Sequence, residues 1–252
     1  MLVLGSARTR IQLCGRLVIE LDGRRVEDAL PGRQGRLLFG YLAAERLRAS
    51  RRETLIELLW PGKAPDSCAA SLRPLISRLR QILGDALTGR SELRLVLPSG
   101  ARVDIDRAAL YLHDAESAVS LHRWEDAWMP AQIGWSITSR EFLAGCDGDW
   151  VQERRRRLEV DHLRALQCIA AAGLHLGHGE LPDAERAARS LIELAPYRES
   201  GYRLLMQALE IQGEVAEALL VYDRLRRVLR EELGLAPGQE VQEIAERLLS
   251  LR

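Results

Sequence analysis

The stretch DSCAASLRPLISRLRQIL, residues 66–83, decides the fold, because its apolar side chains recur every three or four positions. At about 100° per residue, six of them fall on one stripe of a helix: Leu72, Leu75, Ile76, Leu79, Ile82 and Leu83. The opposite face presents Asp66, Ala70, Arg73, Ser77 and Gln81, flanked by Arg80. Small and hydrogen-bonding side chains beside arginine suit insertion into a DNA groove, and they also suit an ordinary solvated face. The stretch therefore predicts an amphipathic helix with two alternative uses for its polar face.

One residue departs from this pattern. Pro74 lies in the middle of the predicted helix. A proline there removes the backbone hydrogen bond to the carbonyl of Ala70 and favours a kink. The sequence therefore predicts a bent helix.

Strands and two further helices precede this segment. Apolar residues on both sides of the Asp22-Gly23 turn predict a small antiparallel sheet. Helical spacing then predicts a helix from about Arg33 to Leu47. Ser50 followed by Glu53 has the pattern of a capping box, which would open a second helix that ends at Trp60-Pro61-Gly62.

Two strands follow the segment, Leu93–Leu97 and Arg102–Ile105, and the Pro98-Ser99-Gly100-Ala101 turn between them predicts a hairpin. A sheet, three helices and a hairpin, in that order, describe a winged helix, which is a variant of the helix-turn-helix. We therefore expect an α+β winged helix-turn-helix domain over residues 1–107.

Residues 30–85 resemble the OmpR-type DNA-binding domain of SARP-family activators, which regulate antibiotic pathways. The most specific matches are Pro31-Gly32-Arg33, Leu58-Leu59-Trp60 and Ser77-Arg78-Leu79-Arg80. The resemblance implies that residues of about 66–83 form a recognition helix in the major groove. It also implies that residues of about 93–105 form the wing.

The second half of the chain is helical by pattern and repeats itself. Gly179 and Gly213 are 34 residues apart, and so are Ala184 and Ala218. A 34-residue period of paired helices is the tetratricopeptide signature. We therefore expect an all-α, TPR-like repeat domain over residues 108–252, and a mostly helical protein overall.

Further motifs in this half resemble the bacterial transcriptional activator domain that follows the winged helix in SARP-type proteins. They are Glu141-Phe142-Leu143, the stretch 149–154, and the stretch 231–238. With them, the resemblance extends from about Ile11 to Leu249. It implies a DNA-binding transcriptional activator rather than an enzyme.

This interpretation assigns roles to individual side chains. Base reading falls to Arg73, Ser77 and Arg80, and phosphate binding falls to Arg33, Arg36, Arg51, Arg52, Arg94 and Arg102. By resemblance, Trp60 and Lys63 would contact RNA polymerase, and two copies would bind direct repeats head to tail, as a homodimer on double-stranded DNA. A stacked-helix domain also offers a concave surface suited to a peptide, a protein or a small effector.

Composition agrees with a DNA-binding protein of the cytoplasm. Residues 1–106 hold 17 arginines and Lys63 against 12 acids, a net charge of +6, while the remaining residues carry −6. The four cysteines are scattered without a CxxC pair, which favours a reducing cytoplasm. No apolar run is long enough to cross a bilayer, so no membrane contact is expected. The run Arg154–Arg157 is interpreted as a solvated helix face.

Two other functions stay open at this point. One is a protein-interaction adaptor whose winged helix does not read DNA. The other is a metal hydrolase that uses His175 and His178 near Cys168, although their spacing is looser than in most zinc sites. The sequence lacks the common ATPase, zincin and serine-hydrolase motifs, so we expect no catalytic residue, no metal and no cofactor.

Overall fold

The computed structural model describes residues 9–62, 65–177 and 179–250, and the chain is mostly helical with a small sheet region. It divides into two compact units. The first unit holds Met1–Arg107 together with Ile137–Leu158, and the second holds Ala108–Ser136 with Glu159–Arg252. The sequence places a single boundary after residue 107. In the structure, residues 137–158 also belong to the first unit.

Before residue 104, the described part of the first unit contains two small sheets and three α-helices. Its strands are β1 (Arg10–Gln12), β2 (Val18–Leu21), β3 (Arg24–Arg25), β4 (Ser50–Arg51), β5 (Leu87–Thr88), β6 (Glu92–Leu95) and β7 (Arg102–Val103). Its helices are α1 (Gly32–Ala44), α2 (Arg52–Leu59) and α3 (Pro65–Leu83). One sheet has the order β3-β2-β1-β7, and the other has the order β4-β6-β5.

The predicted pairing of residues 93–97 with 102–105 is wrong. Strand β6 instead pairs antiparallel with β5, with Leu95 opposite Leu87, and also with β4. Strand β7 pairs parallel with β1 in the other sheet, and the chain continues from Asp104 into a helix. The tight turn of the real hairpin uses Gly89, whose φ of +88° suits glycine. This hairpin was missed because β5 has only two residues and no apolar alternation.

The predicted capping box at Ser50 is also wrong. Ser50 is buried in β4 opposite Leu93, and its side chain is a hydrogen-bond partner of Tyr41. Helix α2 begins at Arg52 without a side-chain cap. Ser50 is therefore a strand residue, because its backbone pairs with Leu93, and it does not cap α2 as the Ser50–Glu53 spacing predicted. The helix stop at Trp60 is confirmed, because its N–H donates to the carbonyl of Ile56 at 2.8 Å.

Residues 137–158, which we call the return segment, add a strand-like contact to the first unit. The N–H of Leu143 donates to the carbonyl of Leu13 at 2.8 Å, and the N–H of Gly15 donates to the carbonyl of Glu141 at 2.7 Å. Between these bonds, Cys14 and Phe142 form an antiparallel bridge. The return segment therefore satisfies backbone groups of the chain that links β1 to β2.

Side-chain contacts also hold the return segment in place. Leu143 packs onto Gly40 of α1 so closely that a Cβ on Gly40 would lie 2.5 Å from a Leu143 methyl. Arg155 donates to the carbonyls of Phe142 and Cys146, both at 3.1 Å. Arg154 pairs with Glu45 at 2.7 Å. The four-arginine run is thus only partly a solvated face, since its first two members bind the first unit.

The remaining two arginines match the solvated interpretation. Arg156 and Arg157 both pair with Glu153, at 2.7 and 3.0 Å, and their side chains are 64% exposed. Such pairs along one helix contribute little to stability.

Asp104 also bonds to the chain that links β1 to β2. Its carboxylate is buried and accepts hydrogen bonds from the N–H groups of Leu13, Cys14 and Ile105, at 2.8–2.9 Å. Burial raises the pKa of Asp104, and these hydrogen bonds act against that rise. The link between β1 and β2 is therefore bonded both to the return segment and to the start of the next helix.

The second half continues as helices. They are α4 (Asp104–Ser120), α5 (Trp124–Thr138), α6 (Asp149–Leu176), α7 (Leu181–Leu194), α8 (Glu199–Gln212), α9 (Val215–Val228) and α10 (Gln239–Ser250). Helices α7 and α9 begin 34 residues apart and have equal length. Ala184 and Ala218 are both buried, as close packing of paired helices requires. Among the described residues, no helix has the length and hydropathy of a membrane span.

Replacing Gly40 tests the contact with Leu143. Gly40→Ala should lower the free energy of unfolding by about 1–3 kcal/mol, because the new Cβ overpacks against two methyl groups. A urea titration measures this change. Gly134→Ala, inside α5, is the matched control, since its nearest neighbours lie 3.9 Å away and alanine favours a helix.

A double-mutant cycle identifies the partner. In the Gly40→Ala background, Leu143→Ala should cost less than it does in the wild-type chain, because truncating Leu143 relieves the overlap. Strictly additive costs would contradict the close contact.

Candidate nucleic-acid interface

Helix α3 separates an apolar face from an arginine-bearing face. Its inward positions are almost fully buried: Leu72, Ile76, Leu79 and Leu83. Leu75 and Ile82 are half-buried at the edges of this stripe. The outward positions are exposed: Ala70, Arg73, Ser77, Arg78 and Gln81. The stripe predicted from the sequence is therefore present, and the arginine-bearing face is open to solvent within the described residues of the first unit.

The three proposed base-reading residues differ in how they are held. Arg73 is exposed and makes no hydrogen bond or ion pair with any described residue. Ser77 lies one turn further on the same exposed face. Arg80 is half-buried and donates to the carbonyl of Gly89, so it ties α3 to the turn of the β5–β6 hairpin.

Most of the proposed phosphate-binding arginines already have partners. Arg33 pairs with Asp147 at 2.6 Å, and Arg51 contacts Glu92 at 3.2 Å. Arg52 and Arg94 donate to the backbone carbonyls of Arg90 and Arg46, at 2.9 and 3.1 Å. These contacts are exposed, so each is weak and exchangeable for a phosphate oxygen.

The structure brings only some of these arginines together. Arg51 and Arg94 lie on adjacent strands of the β4-β6-β5 sheet, and Arg80 contacts its turn. Arg102 lies in the other sheet, opposite Arg10. Arg33 and Arg36 lie in the first turns of α1, where both are exposed.

Two exposed arginines were missed. Arg78 lies on the open face of α3 and donates to Gln81 at 3.3 Å. Arg90 lies in the turn between β5 and β6. Gly89 followed by Arg90 is the sequence feature that indicates this turn. It can be recognised only when Leu87 and Leu95 are known to pair.

The proposed polymerase contact is only partly described. Trp60 is half-buried where α2 ends, and the following Gly62 donates its N–H to Glu57 at 3.3 Å. Lys63 lies outside the described residues.

Helix α3 runs without interruption from Pro65 to Leu83, although Pro74 lies inside it. Pro74 is exposed, beside Arg73. The missing backbone hydrogen bond therefore falls on the solvent side of the helix, at the centre of the candidate interface.

The proposed metal ligands are not assembled among the described residues. No group of three or more His, Cys, Asp or Glu side chains is placed to hold a metal ion in that part of the chain. His175 stacks on Trp124 instead, with ring centroids 3.9 Å apart. Cys168 is buried, which raises its thiol pKa to about 12, and His178 lies outside the described residues.

Comparison of the sequence with known proteins assigns the chain to a family. Residues 103–249 match the bacterial transcriptional activator domain. The chain is 32% identical over 254 residues to the regulatory protein AfsR of Streptomyces coelicolor, covering 97% of this chain and 24% of that protein. It is 27% identical to the transcriptional regulatory protein EmbR of Mycobacterium tuberculosis, covering 94% of this chain and 62% of EmbR. The chain thus spans about a quarter of AfsR and under two thirds of EmbR.

The fold is also similar to that of a solved structure. M. tuberculosis EmbR, in complex with a low-affinity phosphopeptide, superposes with a TM-score of 0.81 at 23% identity. The match covers 98% of this chain and 66% of that one. The two proteins therefore share a fold over nearly the whole length of this chain.

Pro74 offers a direct test of the α3 geometry. Pro74→Ala should raise the free energy of unfolding by about 1 kcal/mol or more, because it restores a donor to the Ala70 carbonyl and removes the ring from the helix interior. Thermal or urea unfolding measures the change. Ser77→Ala, on the same exposed face, is the matched control and should change stability by less than about 0.5 kcal/mol. A loss of stability in Pro74→Ala would mean that the packing requires the proline geometry.

Proposed function

This chain belongs to the family of proteins with a bacterial transcriptional activator domain, and we propose that it regulates transcription by binding specific DNA sequences through its first unit. Its relatives are transcriptional regulators of the SARP type rather than enzymes. The resemblance drawn from the sequence is confirmed at the level of the family.

The observation that carries the proposal is the arrangement of α3. Four leucine and isoleucine side chains hold the helix against the first unit, so its orientation is fixed by the core. The opposite face offers Arg73 and Ser77, which can reach base edges in a major groove. Arg80 retains further N–H donors beyond the one used at Gly89, so it can approach the same groove.

We assign phosphate binding to exposed arginines around this helix. Their present partners are surface carboxylates or backbone carbonyls, and a phosphate offers a stronger charge-assisted bond. Neutralising several phosphates makes binding depend steeply on salt concentration, because counterions are released from the DNA. The residues proposed for this role are Arg33, Arg36, Arg51, Arg52, Arg94 and Arg102.

In this proposal the first unit acts as a winged helix. The wing is the β5–β6 hairpin at residues 87–95, rather than residues 93–105 as the sequence suggested. Arg80 supports this choice, since it bonds the recognition helix to the hairpin turn.

The remaining partner assignments follow from the family. We propose that two copies bind direct repeats head to tail, and that Trp60 and Lys63 contact RNA polymerase. Trp60 is half-buried, so only part of its ring is available for such a contact.

Arg73 provides the sharpest test of DNA reading. Arg73→Ala should reduce the ratio of affinities for cognate and scrambled duplexes by roughly 5- to 150-fold, since a base contact is worth about 1–3 kcal/mol. Fluorescence anisotropy at matched salt measures both affinities, with the cognate site taken from footprinting upstream of the gene. Arg24→Ala is the matched control, because Arg24 is exposed on β3, which belongs to the sheet that does not contain the β5–β6 hairpin.

Two results would contradict the proposal. An unchanged ratio in Arg73→Ala would remove this residue from base reading. Absence of DNA binding by the full chain at low salt would favour the adaptor alternative, in which the first unit contacts protein.

A further inference from the structure

A cavity of about 520 Å³ lies in the second unit, between α4, α6 and α8 and beside the turn that joins α4 to α5. Cavities that bind small molecules typically measure roughly 300–1,000 Å³. Buried apolar side chains contribute to its wall, namely Cys168, Leu174 and Leu204. All residues that line it belong to the second unit.

Aromatic rings line one part of this cavity. The rings of Trp124 and His175 stack nearly parallel, with centroids 3.9 Å apart and an interplanar angle of 10°. His122 meets the edge of Trp124 at 5.3 Å. The φ of His122 is +57°, and the backbone bond from Arg123 N–H to the Ala118 carbonyl, at 2.9 Å, holds this turn. A non-glycine residue in this conformation beside a cavity is a feature often found at binding sites.

The imidazole of His175 favours its neutral form. Burial lowers the pKa of His175, and the neighbouring His122 lowers it further. A neutral imidazole stacked on an indole presents a flat surface that accepts another uncharged ring system. The aromatic part therefore favours a planar ligand.

Polar side chains line another part of the cavity. Gln167 and Gln207 supply amide groups, and Arg164 and Arg203 supply guanidinium groups. Arg164 already binds two acids, since it donates to both carboxylate oxygens of Glu116 and to Asp161 at 2.7 Å or less. It thereby neutralises Glu116, the carboxylate that lines this cavity.

Arg203 is a cationic side chain of this cavity that is available to bind a ligand anion. Its ion-pair partner is Glu240, at 3.3 Å, and the Glu240 side chain is 80% exposed. An ion pair with so exposed a carboxylate is weak and is readily exchanged for a ligand anion. A carboxylate bound by arginine gains a bidentate, charge-assisted hydrogen bond.

From these observations we propose that the cavity binds a small planar aromatic carboxylate. The ring system packs against Trp124 and His175, and the carboxylate is held by Arg203 with help from Gln167 and Gln207. This inference goes beyond DNA binding and does not depend on it, because none of these residues belongs to the first unit.

The test uses the full chain without DNA and two matched probes, 2-naphthoate and its uncharged analogue 2-naphthamide. Isothermal titration should show saturable binding of 2-naphthoate with a Kd of about 1 mM or lower, as expected for a ligand of this size. The amide should bind about tenfold more weakly or worse, because it lacks the charge that Arg203 binds. This comparison needs no variant, so it stands even if a substitution disturbs folding.

Variants locate the site. Trp124→Leu and Arg203→Gln should each weaken 2-naphthoate binding by about tenfold or more. Trp135→Leu and Arg186→Gln are the matched controls, since both residues lie outside this cavity in the same unit, and they should leave the Kd unchanged. The proposal is overturned if 2-naphthoate does not bind saturably, if the amide binds equally well, or if the controls weaken binding as much as the cavity variants.

Discussion

The link between β1 and β2 is the point on which the first unit depends. Its backbone N–H groups at Leu13 and Cys14 donate to the buried Asp104 carboxylate, and Leu13 and Gly15 also bond to the return segment. Buried backbone groups without partners cost free energy, so this short link needs both contacts to remain folded. One contact comes from the start of α4 and the other from residues more than 120 positions further along the chain. The candidate DNA-binding unit is therefore completed by sequence from the second half.

This arrangement also explains the chemistry of the return segment. Arg155 binds carbonyl oxygens that have no strand partner of their own, and Glu45 accepts from both Arg154 and Trp150. Gly40 is required because Leu143 occupies the space that a side chain would take. Arg154 and Arg155 thus serve structure, while the arginines near α3 keep exposed and exchangeable partners. Arginine thus serves both as a structural residue and as a candidate DNA contact. The structural arginines have part-buried partners, whereas the candidate DNA contacts have exposed ones.

Much of the fold was accessible from the sequence because it rests on local periodicity. The three helices of the first unit, the Asp22-Gly23 hairpin and the 34-residue offset between α7 and α9 all follow from spacing and turn residues. The amphipathic stripe of α3 was predicted residue by residue, and its buried positions agree. For the candidate interface, the exposure of Arg73 and Ser77 followed from that stripe.

The errors concern contacts between distant residues. Ser50 has the local signature of a helix cap, yet pairing with Leu93 draws it into a strand. Strands of two residues, such as β5 and β7, carry no alternation from which a partner can be read. The run Arg154–Arg157 looks uniform in sequence, and only the fold places Glu45 and the Phe142 carbonyl beside its first two members. Likewise, the sequence alone gave no sign that His175 would stack on Trp124.

Native-state hydrogen exchange tests the central claim, that residues 137–158 fold as part of the first unit. Leu205→Ala should destabilise the second unit by about 2–5 kcal/mol, since Leu205 is buried in α8. In that variant the amides of Gly15 and Leu143 should keep their wild-type protection, while the amide of Leu209 in α8 should lose protection. Loss of protection at Leu143 in step with Leu209 would contradict the account, because it would show that the return segment opens with the second unit.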